Sequence, residues 1–324
     1  MNNNENIIEI QNYIKKFKKN SIGEISFKFK RGEVTALLGT SGSGKSVLIN
    51  SIISCNKKYS GVIKINDKNI NGKNGYQENK GIGFYTQIDF SLQNISLNKY
   101  LKNICLIMGL KKKFIKTQIE YWVNFFGLED AIEKKVKDFS WGMKNRVNLI
   151  LTFLKNPEII ILDEPGANLD SYWRNKVKNL LIKLKEEGKT IIITAHNIDE
   201  INEIIDNYLV IDSGKLIFSG SKQELNVYNK YKLFLQDSFD TLAFRDFLIS
   251  KKIKSFKYNE VENSIIFATN QLKEINWVFV YFISKSILIL NLVKLPINME
   301  SVHKAIEDKE TIKKENSNLK VDKK

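Results

Sequence analysis

The eight residues GTSGSGKS, Gly39–Ser46, constrain this chain more than any others. They fit G-x-x-x-x-G-K-[ST], follow directly on the apolar run VTALL (Val34–Leu38), and open the apolar segment VLINSII (Val47–Ile53). Background residue frequencies give such a match in roughly one chain in a hundred of this length, before the strand and helix context is counted. Gly39, Gly42 and Gly44 let backbone N–H groups turn inward toward phosphate oxygens, and the helix N-terminus adds partial positive charge. Lys45 then bridges the β- and γ-phosphates and the Ser46 hydroxyl ligates Mg²⁺. Thr40, Ser41, Ser43 and Val47 complete the expected nucleotide cradle. The alternative is a Gly/Ser turn before a helix.

A strand–loop–helix unit of this kind belongs to an α/β fold. The runs at Val34–Leu38, Ile159–Leu162 and Thr190–Thr194 are apolar throughout or nearly so, as expected for strands of a largely parallel sheet buried on both faces. Ile7–Ile10, Ile25–Phe29, Gly61–Ile65, Ile82–Thr86, Tyr208–Asp212 and Lys215–Ser219 also read as strands, the last two joined in a hairpin at Ser213-Gly214. Between Leu92 and Lys155 the period turns helical: Leu97, Leu101, Ile104 and Met108 share a face, a second run covers Ile115–Phe126, and a third starts near Trp141. The segment IIILDEP, Ile159–Pro165, delivers two adjacent carboxylates at a buried strand end. There Asp163 is placed to hold Mg²⁺ and Glu164 to deprotonate an attacking water; the alternative is an ordinary strand ending in an acidic turn.

The 324 residues, 43% of them hydrophobic, exclude a disulfide mini-protein and a disordered chain. The two cysteines, Cys55 and Cys105, form no CxxC pair, so neither a zinc site nor a disulfide framework is expected, and the start MNNNENIIEI does not read as a secretory signal. The net charge of +15 comes from lysines spread along the chain without a dominant basic block, so no direct nucleic-acid partner is expected, though contact with acidic lipid headgroups stays open. Ile275–Val293 nearly reaches the length of a membrane span. It carries Lys285 between Ser284 and Ser286, and is read as a buried helix, a short turn and a buried strand.

Further motifs resemble the ATP-binding subunit of ABC transporters from about Ile7 to Leu225. FSWGMKNRVNL (Phe139–Leu149) resembles the signature segment, GANLD (Gly166–Asp170) matches the D-loop, TAHN (Thr194–Asn197) carries a switch histidine as His196, and FYTQID (Phe84–Asp89) carries the Q-loop glutamine as Gln87. NYIKKF resembles a segment that places Phe17 as the adenine-stacking aromatic. The resemblance implies that Gln87 contacts Mg²⁺ or the water, that His196 donates to the γ-phosphate, and that Asp170 organises a subunit interface or caps a helix. It also implies that Ser140 and Gly142 reach ATP held by a second ATPase subunit, identical or different. Lys144 and Arg146 are read as solvated or partner-facing charges. Trp141 stands where the family usually has glycine, and either narrows the γ-phosphate site or packs beside the nucleotide without harm. Ser171 replaces a common proline.

The expected organisation is a nucleotide-binding domain over 1–224 with a helical subdomain at about 90–150, a small α+β accessory domain over 225–306, and a disordered polar tail over 307–324. LVKLPINMESVHKAI (Leu292–Ile306) resembles the closing segment of daunorubicin-resistance and sodium-efflux ATPase subunits, with His303 where that family has Phe. The resemblance thus implies an ATPase, with ATP and Mg²⁺, that powers an exporter from the cytoplasmic face of a membrane by dimer closure coupled to separate permease subunits. A soluble ATPase acting on ribosomes or DNA, and a catalytically weakened regulatory subunit, are the other readings.

Overall fold

The computed structural model describes residues 5–71, 79–195, 198–225, 227, 229–251, 253, 256–269, 272–297, 299–307 and 309. The chain divides into two compact units, Met1–His196 with Glu200–Ser221, and Asn197–Asp199 with Lys222–Lys324.

In the first unit, β3 (Val34–Leu38), β7 (Ile159–Asp163) and β8 (Thr190–Thr194) lie at the heart of a six-stranded sheet of order β10-β9-β3-β8-β7-β6. Here β6 is Ile82–Tyr85, β9 is Asn207–Asp212 and β10 is Lys215–Ser221. All neighbours run parallel except β9 and β10. That pair turns through Ser213 and Gly214, whose φ values of 48° and 78° are those of a type I′ hairpin. A second sheet, of order β2-β1-β4-β5, is antiparallel: β1 Asn6–Lys16, β2 Ser21–Lys30, β4 Ser60–Ile65, β5 Lys68–Asn69. Helix α1 (Lys45–Ile52) joins the two sheets in one core, packing Leu48, Ile49 and Ile52 among Ile8, Ile10, Ile63, Leu37, Ile161 and Ile192.

The helical segment contains α2 (Leu97–Ile107), α3 (Lys112–Phe125) and α4 (Trp141–Phe153), and α5 (Ser171–Glu186) follows β7. Trp122, Phe126, Phe153 and Trp173 stack where α3, α4 and α5 meet. Arg146 belongs to this joint, which corrects its reading as a solvated or partner-facing charge. It donates to the Phe126 and Gly127 carbonyls at 2.7 and 3.1 Å and lies 4.4 Å from the Trp173 ring centroid. Its guanidinium satisfies carbonyls that the end of α3 leaves unpaired.

The second unit begins with α6 (Lys222–Leu225) and continues β11 (Asn229–Leu235), α7 (Thr241–Ser250), β12 (Phe256–Asn259), β13 (Ser264–Thr269), α8 (Leu272–Ser284) and β14 (Ile289–Leu295). The strand order β12-β13-β11-β14, with every pair antiparallel, makes β11 to β14 a ferredoxin-like β-α-β-β-α-β unit. Tyr231, Leu233, Leu235, Ile265 and Phe267 point to one face and form a core with Phe244, Leu248, Val278 and Phe282 of α7 and α8. Residues 299–307 form a further helix, α9, and Lys309 is also helical. The rest of the tail expected to be disordered, residue 308 and 310–324, lies outside the described residues.

The segment Ile275–Val293 is helix, turn and strand as expected, but it is not buried throughout. Trp277, Val280 and Ile283 of α8 and Leu290 and Val293 of β14 are exposed. The helix packs only one stripe against the sheet, and β14 is an edge strand of a sheet that α7 and α8 cover on one face. No helix among the described residues is long and apolar enough to cross a membrane.

Candidate functional site

The loop after β3 turns into α1 at Gly44 (φ 110°), with Gly42 also left-handed (φ 76°). Both conformations favour glycine. A Cβ on Gly39 would lie 2.1 Å from the Ile211 carbonyl oxygen and 2.4 Å from Ser43 Oγ, so this position admits no side chain. Thr40 donates to Asp212 Oδ1 at 3.0 Å, which ties the loop to the end of β9.

Lys45 is buried, and its ammonium donates to the Gly39 and Thr40 carbonyls at 2.8 and 3.0 Å. Burial lowers its pKa from the ordinary lysine value, and the charges of Glu164 and Asp163 oppose that shift. The exposed Ser46 hydroxyl donates to Asp163 Oδ2 at 3.2 Å. Parallel pairing of β7 with β8 sets Asp163 opposite Thr194. Thr194 Oγ1 donates to Asp163 Oδ1 at 2.7 Å and accepts the Glu164 N–H at 2.9 Å. Glu164 sits at φ 56°, a left-handed conformation that costs about 1–3 kcal/mol for a residue with a side chain. The hydroxyl bridge holds that backbone and fixes where both carboxylates leave the strand.

Phe17, half exposed, lines a cavity of about 780 Å³ together with Gly42, Gly44, Lys45, Ser46 and Val47. Ser43 is buried, and its Oγ has no hydrogen-bond partner among the described residues. A loop with left-handed Gly42 and Gly44, a buried ammonium, and a hydroxyl beside a carboxylate form a donor set that fits a polyphosphate with a hard divalent cation.

Gln87 lies in a second, smaller cleft with Ile88, Trp141, Lys144, Asn148 and Asn168. The Trp141 indole is 58% exposed. Ser140 caps α4 by accepting the Met143 N–H at 3.3 Å, and Gly142 faces the Asn168 carbonyl, 3.7 Å from where a Cβ would stand. Asp170 caps α5 by accepting the Trp173 N–H at 2.9 Å. His196 lies outside the described residues.

Thr194 and Asp212 escaped the sequence reading as site residues, because only strand pairing reveals what each faces. Tyr85 and Asn145 escaped it as well. The buried Tyr85 hydroxyl donates to Asn145 Oδ1, and Asn145 Nδ2 donates to the Ala167 carbonyl at 2.5 Å. Burial raises the Tyr85 phenol above its usual pKa, so it stays a donor. This bridge links β6, just before Gln87, to α4 and to the loop after Glu164.

The ABC transporter family model matches residues 22–167. An ABC transporter ATP-binding protein of Methanocaldococcus jannaschii, itself uncharacterized, is 31% identical over 220 residues, covering 67% of this chain and 79% of that protein. The linearmycin resistance ATP-binding protein LnrL of Bacillus subtilis is 31% identical over 208 residues, covering 64% and 67%. Among solved structures, cbiO1 of Clostridium perfringens, part of the ABC transporter complex cbiONQ, superposes with a TM-score of 0.59 at 29% identity, over 68% of this chain and 91% of that one. With the loop, the paired carboxylates and these likenesses together, the chain belongs to the ABC transporter ATP-binding proteins and is a nucleotide-binding ATPase subunit of that family.

Proposed function

We propose that this subunit hydrolyses ATP at the cavity beside Lys45 and so powers an exporter from the cytoplasmic face of a membrane. The observation that carries this reading is the hydrogen-bonded chain Ser46–Asp163–Thr194–Glu164 next to the Lys45 ammonium. Phe17 stacks on the adenine, and the Gly39–Val47 loop donates N–H groups to the phosphates. Glu164 accepts a proton from water as the water oxygen bonds to the γ-phosphorus. The bond from that phosphorus to the β-phosphate oxygen breaks and ADP leaves. Lys45 offsets the charge developing on the transferred group, and His196 is assigned the same task from its place in the TAHN motif. Ser46, Asp163 and Gln87 would hold Mg²⁺, which supplies electrostatic stabilisation of the phosphate oxygens when bound.

Ser140, Gly142 and Asp170 serve a second ATPase subunit, identical or different, whose nucleotide is sandwiched in the closed dimer. Closure is driven only by the difference in ATP affinity between closed and open pairs. The region of Gln87 carries it to separate permease subunits. Similarity to a protein named for linearmycin resistance, and the Leu292–Ile306 segment, support export. The scattered basic charge supports no nucleic-acid role.

Glu164→Gln tests this reading: ATP binding should persist while phosphate release falls by about 10²–10⁴ and a dimer accumulates on size exclusion. Turnover at the parent rate would remove Glu164 as the base. The exposed Trp141 beside Gln87 gives specific support to a second reading, a weakened subunit. On that reading Trp141→Gly raises turnover of the assembled complex, and an unchanged rate refutes it.

A further inference from the structure

The second unit holds a site that the ATPase cycle does not use. Along β11 the side chains alternate, with Tyr231, Leu233 and Leu235 buried against α7 and α8. Lys230 therefore stands on the opposite face, where its register partners are Ala268 of β13 and Leu295 of β14, with Ile266 and Lys257 paired farther along. Glu300 and Lys304, one turn apart on α9, wall a cavity of about 470 Å³ over these residues. The floor is apolar, formed by Ile266, Ala268 and Leu295, and three lysines line the cavity around it.

These lysines differ from others of the same unit. Lys232 pairs with Glu262, Lys294 with Asp199 and Lys309 with Glu224. Among the described residues, Lys230, Lys257 and Lys304 take part in no ion pair, and Glu300 alone supplies opposite charge at the cavity wall. The volume lies within the range of small-molecule sites, and an apolar floor under convergent cations matches an apolar body bearing an anionic group.

We propose that this sheet face under α9 binds a small organic anion, a carboxylate or sulfonate on an apolar or aromatic body. Lys230, Lys257 and Lys304 hold the anionic group, Ile266 and Leu295 take the apolar part, and Glu300 restricts the site to ligands that keep clear of its carboxylate.

The test is titration of the full chain, held in excess ADP, with 8-anilinonaphthalene-1-sulfonate. We expect saturable binding of one probe per chain that weakens as salt rises. The double variant Lys230→Gln with Lys304→Gln should bind about tenfold more weakly. Ala268→Phe, which keeps every lysine but fills the floor, should abolish the saturable phase. Glu300→Gln should tighten binding by about threefold. The proposal falls if binding does not saturate, if the double variant binds like the parent, or if Lys285→Gln, away from the cavity, weakens binding equally.

Discussion

The two units use their sheets in opposite ways. In the ATPase unit, β3 and β8 bury all five residues and β7 its first four, because the layers around the sheet cover both faces. Such a sheet leaves no open face, and polar contacts gather at its strand ends, where Thr194 bonds Asp163 and Asp212 bonds Thr40 of the loop after β3. In the second unit β11 and β13 alternate, α7 and α8 pack closely on one face, and the other keeps a cavity between its lysines and α9. How many faces are covered decides whether a sheet offers its ends or its surface.

Substitutions on the two sheets sharpen this contrast. Thr194→Val removes the hydroxyl that bridges Asp163 and the Glu164 amide, so the half-buried carboxylate and the N–H lose their shared partner. ATPase turnover should drop about a hundredfold with ATP affinity changed far less, read by steady-state kinetics beside a binding titration. A parent-like rate would show that the strand ends do not position the carboxylates. In stability, Ile192→Ala in β8, fully buried, should cost about 2–5 kcal/mol, measured as the shift of the ATPase unit's transition in urea. Ile266→Ala, half-buried on the face of β13 that α7 and α8 leave uncovered, should shift the second unit's transition by only about 1 kcal/mol. Similar costs at the two positions would mean that the second sheet is packed as tightly on this face as on the other, and the comparison would fail.

The phosphate-binding loop and the paired carboxylates were legible because both depend on contiguous residues. Glycine spacing sets where the backbone can turn, and IIILDEP carries strand and carboxylates together. The apolar runs also gave the parallel sheet away. Arg146 was not legible. Its charge reads as surface, yet it packs on Trp173 and binds carbonyls at the end of α3, partners 27 and 19 or more positions away. The apolar stretch at Ile275–Val293 misled in the other direction. Hydrophobicity marks what a segment can bury, while an edge position in a sheet with one covered face leaves part of it in solvent.

The order of residues alone determined that this chain would cradle a triphosphate, since short-range backbone geometry needs no distant partner. Tertiary structure alone decided that Thr194 would hold the carboxylates, that Tyr85 would reach Asn145, and that Lys230, Lys257 and Lys304 would converge on one cavity. Those groups lie tens of residues apart. Strand register and layer packing, which sum many weak contacts over the whole chain, bring them together.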